Sequence, residues 1–515
     1  MSTEGEDGGP VEPVRPAHGD DPVDLTTLDE QSGGNDGQSL GTTASRGFLW
    51  ANVGIVTRYV TALVMAAILA RVLPVEDYAV MVTLLLLSFY FDNALDLGMG
   101  AALVYEQEEG VTHRVQVAFT ANVGLGFVLG CLAFFGAPLI GDYFQAEAFV
   151  PVFRTFAVVV VLSALNTVPW SLFMRNMDFR RRSVVEVCRD VTRFVLTVGL
   201  AFAGLGAWAV VYGLIASKFV ELVLTWWFLR FRPLIRWDLP VVKQLFAYAW
   251  RVAGNRVLGV LALNGDYFVV GNRNNAEYPV YYQAFRLPEF VLGAQLNGLS
   301  AVLFPMFARI REDGPDALRE GMYKSLRIVA LFSFPVGIGL ALVSRDAFTI
   351  LYGDPSEVGI RTMEVIALAG AVTGLGFATG DLLMAINRPG VLLRINGVMV
   401  PLMLVAMWFV APAGVVWVAT VHLVTQIVFI AVRQGVVDHI IGASGRIALQ
   451  CILPGLAVAV FVLAAGLPVR LATSGGWLSL IAICAAGAAG GLLALAVVPP
   501  ARRELFGVVA KVRGA

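Results

Sequence analysis

Apolar segments of helix length follow one another almost without pause from about Gly47 onward, and this constrains the fold more than any motif does. Of 515 residues, 57% are hydrophobic and 15% charged, whereas soluble domains carry roughly 25% charged residues. So much apolar surface requires lipid as its solvent. Counting stretches near the ~20 residues that a spanning helix needs gives about fourteen. Their cores are 47–70, 79–103, 115–138, 149–172, 184–203, 207–229, 241–262, 284–308, 323–344, 361–386, 390–410, 413–432, 446–468 and 477–498. The fold class read from this is an all-α integral membrane protein.

A weak internal repeat organises these segments. Trp50, Gly54, Val60, Ala62, Leu63, Tyr78, Val80, Gly98, Ala101 and Leu103 recur 200 positions later as Trp250, Gly254, Val260, Ala262, Leu263, Tyr278, Val280, Gly298, Ala301 and Leu303. Two related halves are a common plan for transporters, with the substrate path between them. The reading is two pseudo-symmetric six-helix lobes, 46–232 and 233–440, followed by two added transmembrane helices in 441–500. The last two are rich in Ala, Gly, Val and Leu and belong at the periphery. Residues 1–45, rich in Gly, Asp, Glu, Pro and Ser, read as a disordered cytoplasmic tail. Residues 501–515 read as a basic cytoplasmic tail.

Lys and Arg are concentrated in alternate loops, among them Arg175, Arg180, Arg181, Arg182, Arg230, Arg232, Arg236, Lys243, Arg309, Arg311, Arg319 and Lys324. The positive-inside rule then puts both termini in the cytosol. The acidic group Glu106, Glu108 and Glu109 fits this poorly, but acidic residues weigh little in the rule.

Several function classes find no support. The net charge of −1 offers no field for nucleic acid. Cys131, Cys188, Cys451 and Cys484 are far apart and read as small buried hydrophobes, not disulfides or ligands. The four histidines form no metal motif, and there is no phosphate-binding GxxxxGK[ST]. Neither metal nor cofactor is expected. The longest outer segment, Asn264 to Gln283, leaves no room for an external catalytic domain, so the chain reads as a non-enzyme.

Charges inside spanning helices cost about 2.5–3.5 kcal/mol each on insertion scales and tend to mark pathways. Arg58 lies midway along the first segment, and Arg251 and Arg256 lie on the seventh. In the repeat, Arg58 and Arg256 fall two positions apart, so each lobe carries an arginine at similar depth. With Arg286 these form a candidate diphosphate site, because the planar guanidinium donates two parallel hydrogen bonds. The alternative is that they pair with Asp96, Asp266 or Glu289 and merely hold the bundle together. Lys218 and Glu221 are spaced to share a helix face and read best as a structural pair. Glu186, Arg189, Asp190 and Arg193 make one mixed-sign stripe, read as mutual neutralisation or a gate. Trp50, Trp250, Tyr281, Tyr282, Gln283 and Asn297 are candidates for contact with sugars, or else anchor and pack helices.

Certain blocks also resemble a known family. Ile68-Leu69-Ala70-Arg71-Val72-Leu73-Pro74-Val75-Glu76-Asp77-Tyr78 is similar to the signature after the first helix of polysaccharide flippases, with Ala79 where Gly is usual. Asp96-Leu97-Gly98-Met99-Gly100, Met177-Asp178-Phe179-Arg180-Arg181, Asn264-Gly265-Asp266-Tyr267-Phe268-Val269-Val270-Gly271, Tyr282-Gln283-Ala284-Phe285-Arg286-Leu287-Pro288 and Leu303-Phe304-Pro305 resemble further blocks of the same family. This is the O-antigen-type oligosaccharide and polysaccharide branch of the superfamily that includes multidrug and toxic-compound extrusion proteins. The resemblance implies fourteen helices, alternating access and a place in the bacterial cytoplasmic membrane. It implies export of undecaprenyl-diphosphate-linked glycans to the outer leaflet for surface polysaccharide biosynthesis. A polysaccharide polymerase or glycosyltransferases are the partners that go with it. Two other readings stand beside it. A cation-coupled multidrug exporter would favour a cavity of carboxylates and aromatics. A membrane glycan polymerase or glycosyltransferase would need a long outer loop.

Overall fold

A computed structural model describes residues 40–96, 111–176, 178–353, 356–500 and 502. Within these, the side chains of 40–53, 55, 111–112, 244–257, 294–298 and 301–302 lie outside the description. The described residues form helices joined by short turns, without a strand. The first six are α1 (Leu40–Val72), α2 (Val75–Leu95), α3 (Val111–Tyr143), α4 (Val150–Arg175), α5 (Phe179–Phe202) and α6 (Ala207–Leu229). Then come α7 (Leu239–Arg273) and α8 (Tyr278–Pro288), which runs through a π turn (Glu289–Gly293) into α9 (Ala294–Ile310). The rest are α10 (Pro315–Tyr352), α11 (Glu357–Ala385), α12 (Pro389–Val410), α13 (Val415–Ile441), α14 (Gly445–Ala472) and α15 (Trp477–Val497). Among the described residues, ten helices are long and apolar enough to cross a membrane.

Local chemistry sets the boundaries. Proline stands in the first turn of α7, α8, α10 and α12, where its missing N–H costs nothing. The Asp238 and Ser356 side chains accept from Val241 N–H and Gly359 N–H and so begin α7 and α11. Gly353, at φ 83°, ends α10 in the left-handed region.

The order of helix pairing occurs twice. In the first half α1 packs on α5, α2 and α6 on α4, α3 on α4, and α5 on α6. In the second half α7 packs on α12, α8, α9 and α13 on α11, α10 on α11, and α12 on α13. Glycines permit the close approaches. A Cβ at Gly126 on α3 would lie 2.0 Å from the Ala164 Cβ on α4, and one at Gly213 on α6 would lie 2.0 Å from Thr197 Oγ1 on α5. Helix α14 lies on α10, where Gly455 meets the Ala330 carbonyl, and α15 packs on α14 and α10.

At the end where α1 turns into α2, the halves are tied together. Asn272 Nδ2 donates to the Tyr143 carbonyl at 2.8 Å, Asn275 Nδ2 to the Phe144 carbonyl at 2.9 Å, and Gln145 Nε2 to the Asn272 carbonyl at 3.1 Å. The Phe144 and Tyr278 rings stack at 6.0 Å, and Arg71 donates to the Ile350 carbonyl.

Three expectations need correction. The stretch Asn264 to Gln283 is not an outer loop, since α7 continues to Arg273 and α8 starts at Tyr278. Its polar residues sit within helices because their partners are internal: the buried Asp266 carboxylate accepts from Tyr281 Oη at 2.7 Å. The eighth segment is not one regular helix, since the π turn after Pro288 interrupts it. Helix α1 also starts at Leu40, inside the stretch read as tail.

Candidate functional site

Midway along the bundle, α1, α2, α5, α6, α7 and α8 enclose a cavity of about 450 Å³, with Glu289 of the π turn on its wall. That volume is within the range of small-molecule sites. Cationic side chains on its lining are Arg58, Arg189, Arg193, Lys218 and Arg286, and the carboxylates are Asp92, Asp190 and Glu289. Tyr59, Phe89, Phe194, Tyr267 and Tyr282 supply aromatic surface, and Asn264 an amide.

The first-half wall comes from regular helices. The stripe 186, 189, 190, 193 follows the helical repeat, so α5 presents it along one side. The tight α5–α6 contact at Gly213 brings that side against Lys218 and Glu221. Arg189 donates from Nε to Asp190 at 2.9 Å and from Nη1 to Glu221 at 3.0 Å. Lys218 Nζ reaches both Asp92 oxygens, at 3.1 and 2.9 Å, and Glu221 at 3.6 Å. Lys218 is therefore shared between helices, and its nearer partner is Asp92 on α2. Arg58, 51% exposed, meets Glu186 at 3.6 Å, and Glu186 also takes Arg182 at 3.3 Å. Among the described residues Arg193 makes no ion pair, although Asp190 stands one turn away with its Oδ2 unpartnered.

The second-half wall is built differently. Arg286 lies over the Tyr282 ring at 4.2 Å, donates to Tyr267 Oη at 3.4 Å and pairs with Glu289 at 2.8 Å. Tyr59 of α1 packs on Phe290 of the π turn, with ring centroids 6.2 Å apart.

The sequence candidates thus divide. Arg58, Arg286, Tyr282, Lys218 and Glu289 meet at the cavity. Glu221 lies behind the wall as counter-ion, and Tyr281 and Asp266 are buried against each other. Gln283 accepts at its carbonyl from Tyr352 Oη at 3.0 Å. Asp96 ends α2, its N–H donating to the Asp92 carbonyl. The side chains of Arg251, Arg256, Trp50, Trp250 and Asn297 lie outside the described residues. The candidate diphosphate set above did not contain Arg189, Arg193 or Asp92. The signal for the two arginines was present in the α5 charge stripe, which read as self-neutralising because its cross-helix partners are far away in sequence.

Residues 68–356 match the family model described as polysaccharide biosynthesis protein. The chain is 24% identical over 362 residues to the lipopolysaccharide biosynthesis protein WzxC of Escherichia coli (strain K12), covering 70% of this chain and 73% of that one. It is 22% identical over 348 residues to the teichuronic acid biosynthesis protein TuaB of Bacillus subtilis (strain 168), covering 66% and 71%. Among solved structures, the lipid II flippase MurJ in an inward closed conformation superposes with a TM-score of 0.73 at 12% identity, covering 89% of this chain and 100% of that one. An inward-facing multidrug resistance MATE family transporter superposes with a TM-score of 0.63 at 13% identity, covering 76% and 98%. At these identities the structural likeness shows the fold.

Proposed function

We propose, from the premise that this chain belongs to the polysaccharide biosynthesis protein family, that it flips polyprenyl-diphosphate-linked oligosaccharides across the bacterial cytoplasmic membrane. The observation that carries the reading is a cavity inside an apolar bundle on which, among the described residues, cations outnumber carboxylates and Arg193 makes no ion pair. A diphosphate is the part of such a substrate that hydrocarbon rejects most strongly. Arginines remove that cost by supplying charge and paired donors. Arg58, Arg193 and Arg286 take the diphosphate, and the aromatic faces and Asn264 meet the first sugars. Undecaprenyl is the lipid proposed, its chain remaining among the lipid tails. The names of the curated relatives, for lipopolysaccharide and teichuronic acid biosynthesis, support the glycan assignment.

The repeated helix pairing supports two lobes that rock about the cavity, and the loop charges of the sequence support cytosolic termini. With the cell interior negative, outward movement of a doubly negative head is favoured by about 4–5 kcal/mol at 100 mV. The proposed role is transport without chemistry on the glycan, with a polymerase or glycosyltransferases acting before and after it. The excess of cations disfavours the cationic drugs of a multidrug exporter.

Flipping of a fluorescent polyprenyl-diphosphate oligosaccharide in proteoliposomes tests the proposal. The wild-type protein is expected to expose the glycan to an external quencher faster than empty vesicles do. Equal rates, or export of cationic dyes in place of the glycan, would refute it.

A further inference from the structure

Every carboxylate at the cavity neutralises a cation, but they do not all do so in the same way. We infer that Glu289 is an internal stand-in for a phosphate: it occupies Arg286 in the resting ion pair and yields it to the incoming diphosphate. The inference rests on the diphosphate reading of the same cavity.

Three observations separate Glu289 from the other carboxylates. Its side chain is 42% exposed, so water and ligand reach it, whereas that of Glu221 is 6% exposed. Asp92 is similarly accessible, but its cation Lys218 keeps Glu221 as a second carboxylate. Arg286 has Glu289 alone among the described residues. Finally, Glu289 opens the π turn that follows Pro288. A π turn is a local register defect in a helix, frequent at functional sites. Shifting it moves the carboxylate without unwinding α8 or α9, a freedom that Asp190 and Glu221 lack on continuous helices.

Arg286 is suited to the exchange. Its contacts with Tyr282 and Tyr267 are neutral and hold the guanidinium at the wall after the carboxylate leaves. Its Nε is buried without a hydrogen-bond partner, so a donor is still available. Across the cavity, Arg193 offers an approaching dianion a first attachment that displaces nothing. The second phosphate then takes the place of Glu289 on Arg286, and return of Glu289 helps to expel the diphosphate. The ion pair thereby limits affinity and speeds release.

Binding of inorganic pyrophosphate to the full-length protein in nanodiscs tests this. Glu289→Gln is expected to bind pyrophosphate ~5-fold more tightly, the scale of a partly exposed ion pair, and to flip glycan more slowly at saturation. Glu289→Asp is expected to resemble wild type. In unmodified protein, carbodiimide labelling of Glu289 is expected to rise when pyrophosphate is added, while Asp190 and Glu221 stay unlabelled. This readout holds even where Glu289→Gln does not fold. Unchanged or weaker binding by Glu289→Gln, or labelling of Glu289 that does not rise, would overturn the inference. Wild-type protein that binds neither pyrophosphate nor the lipid-linked diphosphate would instead remove the reading beneath it.

Discussion

The two walls of the cavity handle charge in opposite ways. On the α5–α6 wall, Arg189 and Lys218 are held by Asp92, Asp190 and Glu221 from three continuous helices, with several contacts at about hydrogen-bond length. On the α8 wall, one arginine meets one accessible carboxylate on an irregular turn. A charge with several buried partners is fixed, because removing one partner leaves an uncompensated ion in low dielectric. A charge with one partner on an accessible surface is exchangeable, because either member can find another ion. In the proposed function, the paired charges of the first wall set the shape of the site around Arg58 and Arg193, and the second wall is the one that exchanges partners.

The largest expected effect breaks the fixed wall. Glu221→Ala leaves Arg189 and Lys218 under-compensated and should destabilise the protein by about 3–5 kcal/mol, measured by thermal unfolding in detergent. Glu289→Gln should cost under about 1 kcal/mol in the same assay, and equal losses would abolish the distinction between the walls. Next, Gly213→Leu forces α6 away from Thr197 on α5 and should cost about 1–3 kcal/mol by overpacking, with flipping falling as the Arg189–Glu221 contact is stretched. Arg193→Ala then asks whether the first-half wall contributes to binding at all. It should slow glycan flipping at least ~10-fold, equivalent to about 1.4 kcal/mol, with the unfolding temperature unchanged. The smallest effect is a control: Arg361 and Glu357, 69% and 74% exposed at 3.5 Å, line neither wall. Arg361→Gln should change stability by less than about 0.5 kcal/mol and leave flipping intact.

The helical membrane fold was legible in the sequence because apolarity over helix length is a local signal. The charge stripe on α5 was legible too, since four residues at helical spacing declare a face. What it faced was not. Lys218 and Asp92 are separated by 126 positions, and only the packing of α6 against α2 brings them together. The stretch Asn264 to Gln283 misled for a related reason. A carboxylate in an otherwise apolar run reads as a loop until its tyrosine partner, on the next helix, is seen to satisfy it. The segment 284–308 read as one helix, and although Pro288 lies within it, proline alone does not distinguish a kink from a π turn.

The attachment of α14 and α15 has a consequence for measurement. These helices lie against α10, on the second-half side of the bundle. In the proposed rocking of the two halves, the terminal pair is carried like an outrigger on one hull. A probe on α15 therefore reports the attitude of the second half alone. Paired with one on α3, it turns the rocking of the whole molecule into a single distance.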